Sequence, residues 1–322
     1  MILCTNSPRC AEEFFSASPG WTSGLSECLP REIHEAARRL LPAAPIVCAS
    51  IDVTPPWSYA LLVDHAPRSQ FDILVSALRE GCAMPDGLLC LAGSGEGFHG
   101  QRGRTWAAVR GNIHLSAFLT PRCTLSEIAT GLTVLPAVSL IQALDAIPGL
   151  EHRANIRWVN DVVIEGAKLA GYLVHTQSTA GRVTGAVVGI GLNVEAIPPV
   201  APTVFVPSVT ALRVHASDPR ASTVPEILHR LLRCLALNYE KLVSGRSRDL
   251  LELYRERSVV VGRRVEVYPD LEGSTAVPAA TGTVTAIGDQ LELVLEGASR
   301  VISCGRIVMP SSVTATIGRS LA

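Results

Sequence analysis

Residues 157–174 read Arg-Trp-Val-Asn-Asp-Val-Val-Ile-Glu-Gly-Ala-Lys-Leu-Ala-Gly-Tyr-Leu-Val. Two apolar, β-branched runs, Val162 to Ile164 and Leu169 to Val174, flank Glu165-Gly166-Ala167, which is hairpin-turn chemistry. Pairing the runs brings Asn160 and Asp161, at the head of the first, near Lys168 and Gly171 in the second. A carboxylate, an amide and an ammonium then lie beside a residue with no side chain. A lone lysine at such a turn is more often simply solvated, so its meaning depends on what accompanies it.

Two glycine-rich stretches accompany it. Val183 to Val194 reads as a strand ending in Gly189-Ile-Gly191-Leu-Asn193, where the glycines let backbone lie close to a ligand and Asn193 presents an amide. Leu88 to Trp106 reads as a buried strand followed by a loop, and Gly95-x-Gly97-x-x-Gly100 within it has the spacing of a dinucleotide fingerprint. The loop runs on into Gln-Arg-Gly-Arg-Thr-Trp106 and not into an apolar helix, which argues against a dinucleotide site. It reads instead as a flexible, partly basic lid, in which Arg102 and Arg104 supply forked donors for phosphate or carboxylate.

The 322 residues are enough for one large or two modest domains, and 48% hydrophobic against 18% charged content builds a substantial core. A net charge of −1 gives no broad field for nucleic acid or an anionic membrane, so any basic site is local. The nine cysteines are scattered without a C-x-x-C pair or a zinc-type histidine partner, and read as reduced, buried small hydrophobes of a cytoplasmic protein. The N-terminus has no signal-peptide pattern and no apolar run reaches about 18 residues. Residues 1–45 read as an extension with one short helix, Arg31 to Leu41, stopped by Pro42 or Pro45; one helix does not build a helix-turn-helix, so no DNA binding is expected.

Asp52 to Trp57, with its diproline, reads as a loop, and Phe71 to Gly81 as a short amphipathic helix. Leu125 to Leu144 is a core helix in which Pro136 predicts a kink or break. Pro198 to Pro207 is a surface crossing, and helices follow over Val224–Val243 and Leu250–Arg255. Composition then changes to short strands at 259–267, 282–287, 290–295 and 300–304, the pattern of a small β-barrel.

The string Arg-Trp-Val-Asn-Asp, then Lys-Leu-Ala-Gly, then Gly-Ile-Gly-Leu-Asn closely resembles the biotin protein ligase family, with Val159 where proline is usual. Arg102-Gly-Arg-x-Trp106 followed by Gly111-Asn-Ile-His-Leu-Ser116 is similar to that family's lid and the strand after it. Phe98, His99 and Gln101 depart from its Gly-Arg-Gly-Arg-Arg pattern, and its Ser-Thr-Asn near residue 52 is absent. The resemblance covers about residues 88–310 and implies an α+β fold: a mixed central sheet flanked by helices, related to class II aminoacyl-tRNA synthetases, over 46–250, and a small SH3-like β-barrel over 256–312.

It also implies ATP-dependent activation of biotin to biotinyl-5′-adenylate, then transfer to a lysine of a biotin carboxyl carrier domain. On that implication Lys168 bridges carboxylate and α-phosphate and Asp161 orients it or takes the incoming lysine's proton. Arg102, Gly103 and Arg104 face the nucleotide phosphates with Mg²⁺, without a protein-only metal site. Asn160 and Asn193 fix the nucleotide, Trp106 offers a flat wall, and Gly111, Asn112, Ser116, Gly171, Gly189 and Gly191 line the substrates. A homodimer is left open and no membrane partner is expected. Lipoate or octanoate ligation, octanoyl transfer through a cysteine, and ligand binding without catalysis remain as alternatives.

Overall fold

The computed structural model describes residues 1–16, 20–23, 30, 34–41, 45–53, 55–270, 277–297 and 301–310. Among them, β1 (Ile2–Thr5), β2 (Thr22–Ser23), β3 (Val47–Ser50), β4 (Tyr59–Ala66), β5 (Leu88–Gly95), β6 (Ile113–Leu119), β7 (Ala154–Arg157), β8 (Asp161–Ile164), β9 (Ala167–Thr179) and β10 (Arg182–Leu192) form one sheet. Its order is β2-β3-β1-β4-β5-β6-β10-β9-β8-β7, parallel at β1–β4 and β4–β5 and antiparallel elsewhere. The sheet is therefore mixed, and the N-terminal residues supply a strand inside it.

Helices cover both faces. Leu89 and Leu91 of β5 point into a core shared with α1 (Pro8–Phe15), α4 (Leu125–Asp145), α5 (Val224–Val243) and α6 (Ser247–Glu256). Leu88, Cys90 and Ala92 point the other way, to α2 (His34–Leu40) and α3 (Gln70–Arg79). This is why β5 is continuously apolar where a half-exposed strand would alternate. By length and composition α4 could cross a bilayer, but 72% of its most apolar window is buried in the fold, against the sheet, α5 and α6. It also runs unbroken through Pro136, so the expected break does not occur.

The small C-terminal sheet holds β11 (Arg264–Tyr268), β12 (Ala280–Ile287), β13 (Leu293–Leu295) and β14 (Arg306–Val308) in the order β13-β12-β11-β14. Among the described residues it is open, not the closed barrel expected. Of the strand expected at 300–304, Arg300 lies outside the described residues and Ile302 makes a single bridge to Leu293; pairing resumes only at β14. The sheet shares the main core through Val265, Val267 and Val284, and Trp158 donates its indole N–H to the Leu291 carbonyl at 2.6 Å.

The cysteine expectation also needs correction. Register places Cys4 of β1 opposite Cys48 of β3, and the two form a disulfide, while Cys304 is exposed. Cys28, residues 31–33 of the expected first helix, and Pro42 lie outside the described residues.

Candidate active site

The 157–174 stretch forms the expected hairpin. Glu165 and Gly166 both take positive φ, 52° and 83°, as a two-residue turn joining right-twisted strands requires. Register then aligns one residue from each of four strands: His114 on β6, Gly191 on β10, Gly171 on β9 and Asp161 on β8. The two central positions have no side chain, so the row forms a floor that is bare in the middle and polar at both ends. A Cβ on Gly191 would lie 2.4 Å from ring atoms of Trp106, which rests on that bare patch.

Lys168 and Gly171 are three apart and would face opposite sides of a regular strand. A register shift between β8 and β9 inserts one extra residue on β9, Leu169 and Ala170 are both buried, and Lys168 thereby joins the face of Gly171. Its ammonium lies 2.6 Å from Asp161 Oδ1 and 5.8 Å from the Trp106 ring centroid. The other Asp161 oxygen accepts from Arg157 Nη2 at 2.7 Å. Burial would raise the Asp161 carboxyl, but Lys168 and Arg157 outweigh it and hold it below the usual carboxylate range. A carboxylate with both oxygens engaged is suited to orienting Lys168 and poorly suited to taking a proton.

Two hydroxyls brace the turn before Asp161. Tyr172 and Tyr254 both donate to the Val159 carbonyl, at 2.7 and 2.9 Å, and Asn160 donates its amide to the Tyr172 carbonyl at 2.8 Å. The Trp158–Val159 peptide is cis.

The expected lid is a hairpin that folds back over the floor. Gly95 pairs with Ala108, the Trp106 amide donates to the Phe98 carbonyl, and His99 pairs with Thr105. Its tip turns at Arg102 and Gly103, both at positive φ. His99 Nε2 lies 2.9 Å from both Asp72 oxygens and Nδ1 lies 2.9 Å from the Gly100 carbonyl, so acceptors face both ring nitrogens. The Gly100 and Asp72 contacts raise the His99 pKa. Under the lid, the buried His114 donates Nε2–H to the Val109 carbonyl and accepts the Trp106 indole N–H at Nδ1, 3.4 Å away. Burial lowers its pKa from 6.5 to about 4, so it is a neutral post for Trp106.

A third wall comes from distant sequence. The Arg306 guanidinium stacks 3.5 Å from the Phe205 ring centroid, and Phe205 meets Tyr268 edge-on at 5.5 Å. Floor, lid and wall enclose a cleft of about 170 Å³ that adjoins a second of about 410 Å³. Five cationic side chains line the two, Arg102, Arg104, Arg157, Lys168 and Arg306, against the carboxylates Asp161 and Asp270.

Of the residues singled out in sequence, Lys168, Asp161, Asn160, Arg104, Trp106, Ser116, Gly171, Gly189 and Gly191 meet in the first cleft, and Arg102 in the second. Gly103, at the lid tip, lines neither, and nor do Gly111, Asn112 and Asn193 at the end of the floor. Asn112 is buried, its Oδ1 accepting from the Val194 and Ala196 amides, and the Gly111 carbonyl accepts from Glu195. Asn193, fully buried, donates to the Thr210 carbonyl. These three pin the exit of β10. His114, Phe205 and Arg306 were missed: their partners lie on other strands or far along the chain.

The model of the biotin/lipoate A/B protein ligase family matches residues 83–193, the span from the start of the lid strand through the end of the floor. The chain is 33% identical over 262 residues to the biotin–[acetyl-CoA-carboxylase] ligase of Mycobacterium tuberculosis, covering 78% of this chain and 89% of that one. The chain belongs to the biotin/lipoate A/B protein ligase family. A second relative, the bifunctional ligase/repressor BirA of Bacillus spizizenii, is 35% identical over 111 residues, which span only 33% of its length. The biotin protein ligase of Aquifex aeolicus in complex with biotin and ATP shares the fold, with a TM-score of 0.56 at 19% identity over 78% of this chain and 98% of that one.

Proposed function

We propose that the protein is a biotin protein ligase, which joins biotin to ATP as biotinyl-5′-adenylate and passes the biotinyl group to a lysine of a carboxylase's biotin carboxyl carrier domain. The observation that carries this reading is the excess of three positive charges around a cleft whose floor is bare glycine. Such a site suits a reaction in which a carboxylate must approach a triphosphate, because fixed cations stabilise charge where two anions meet. The names of the relatives supply the acid and the carrier; the cleft supports the chemistry.

In the first step a biotin carboxylate oxygen bonds to the α-phosphorus of MgATP, the bond to the β-phosphate breaks, and pyrophosphate leaves with its electron pair. Lys168, held by Asp161, is the cation for the attacking carboxylate and the α-phosphate; Arg102, Arg104 and Arg306 take the remaining phosphate charge. Among the described residues the cleft has no free carboxylate pair for Mg²⁺, so the ion would be held by the nucleotide and would supply charge to its phosphates. Trp106, posted by His114, closes the cleft over the glycines and excludes water from the mixed anhydride. In the second step the carrier amine attacks the acyl carbonyl and AMP departs. We expect the reaction in the cytoplasm, and no DNA binding.

Pyrophosphate release from MgATP, compared among biotin, lipoate and octanoate with Lys168→Ala as control, tests the reading. Biotin-dependent release lost in the variant is expected. Release with lipoate or octanoate in its place redirects the substrate, and no release with any acid overturns the reading.

A further inference from the structure

Asp270 follows β11 in the C-terminal sheet, far in sequence from the lid, yet its carboxylate faces both lid arginines. Arg102 Nε lies 3.6 Å from Oδ2 and Arg104 Nη1 lies 3.5 Å from Oδ1. The Asp270 side chain is only 15% exposed, while those of Arg102 and Arg104 are 63% and 38% exposed. A further arginine of the cleft, Arg306, feels both the Asp270 carboxylate and the Arg104 guanidinium. One carboxylate thus sits among three forked cations whose ordinary counterpart would be a phosphate chain. Among the described residues, neither Arg102 nor Arg104 has another carboxylate within ion-pair distance.

We propose that Asp270 is a positioning residue that stands in for nucleotide phosphate, latching the lid to the C-terminal sheet until ATP displaces it. The inference rests on the ATP-dependent reading above. Phosphate oxygens and the Asp270 carboxylate compete for the same donors, so nucleotide entry exchanges one anion for another and frees the lid from the C-terminal sheet. The exchange avoids leaving three arginines mutually repelling beside an empty cleft. It also lowers apparent affinity for the nucleotide by the fraction of molecules in which the latch is closed.

The test is Asp270→Asn, which keeps the shape and removes the charge. Calorimetry with MgATP is expected to show binding about three- to tenfold tighter than in the parent. Without nucleotide, trypsin is expected to cleave after Arg102 and Arg104 several-fold faster in the variant; with saturating MgATP the two proteins should be nicked at the same rate. Asp270→Glu should restore parental affinity and nicking. A residue that merely supports the C-terminal sheet would give the opposite sign, with weaker nucleotide binding and a lower Tm.

Unchanged affinity together with unchanged nicking overturns the proposal. If Asp270→Asn folds poorly, the parent protein in raised salt gives the same readout, since screening loosens a partly exposed ion pair. Lid nicking that does not rise, relative to a reporter peptide in the same buffer, then counts against the latch. Failure of the functional reading looks different: neither parent nor variant would bind ATP at all.

Discussion

The floor of the cleft and its lid are both hairpins, and they are held by different means. The floor is held by register, which puts His114, Gly191, Gly171 and Asp161 in one row because four strands pair, and by the largely buried pairs of Asp161 with Lys168 and Arg157. The lid is held by partly exposed ion pairs, His99 with Asp72 on one side and Arg102 and Arg104 with Asp270 on the other. The difference separates what must be fixed before the reaction from what must give way during it. Groups that meet developing charge gain from being immobile; groups that admit substrate gain from contacts worth little each.

The comparison is sharpest at Lys168. Lys168→Ala should slow pyrophosphate release about 10²- to 10³-fold with little change in Tm, and Lys168→Arg should not restore it, because a planar fork cannot take the place of a compact ammonium. Asp161→Asn should lower stability by about 3 kcal/mol, since Arg157 would be left buried without its charge partner. Denaturant unfolding measures this, and a loss below about 1 kcal/mol would show that the floor does not depend on its ion pairs.

Acid probes the other end of the row. His114 has its pKa depressed in the folded state, so the unfolded chain binds more protons between the two values and stability falls as pH drops from 6.5 toward about 4. The loss at the bottom of that window should be roughly 3 kcal/mol, and protonating Nδ1 should also free the Trp106 indole, seen as a fluorescence shift. His114→Gln should remove the Trp106 step. Gly191→Ala should cost about 1–3 kcal/mol through overpacking against Trp106, again with a fluorescence change.

The smallest effect belongs to the lid. Asp72→Asn should alter lid nicking less than about fivefold, as exposed pairs allow. Because His99 is shifted upward, its contribution to holding the lid is fully present below pH 6.5 and fades as pH rises through its folded value. A large effect of Asp72→Asn on Tm would erase the distinction between the two hairpins.

The same contrast explains what could be read in advance. The Asp161–Lys168–Gly171 part of the floor was legible because it lies within eighteen residues on two runs with a turn between, whereas His114, on a separate strand of the same row, was not. Also not visible was the extra residue at Leu169 that turns Lys168 onto the face of Gly171. The lid's cations were legible as types, but Asp72 and Asp270 as their holders were not, since charges on separate elements leave no spacing to read. Asn112 and Asn193 show the reverse case, where the motif was seen and the side chains turned inward to bind backbone. Pro136 was expected to kink or break its helix, and of the two the break does not occur, because tertiary packing carries the helix through. The closed barrel failed where the chain near Ile302 makes one bridge and no strand.

The oxygen of Val159, which takes the hydroxyls of Tyr172 and Tyr254, has a further consequence. It is a single atom that takes a hydroxyl from strand β9 and another from helix α6, so any opening that displaces the Val159 turn strands both buried hydroxyls at once. In hydrogen exchange, opening of that turn should therefore release the amides of α6 and of the neighbouring β9 segment together, as one cooperative unit that carries the lysine with it.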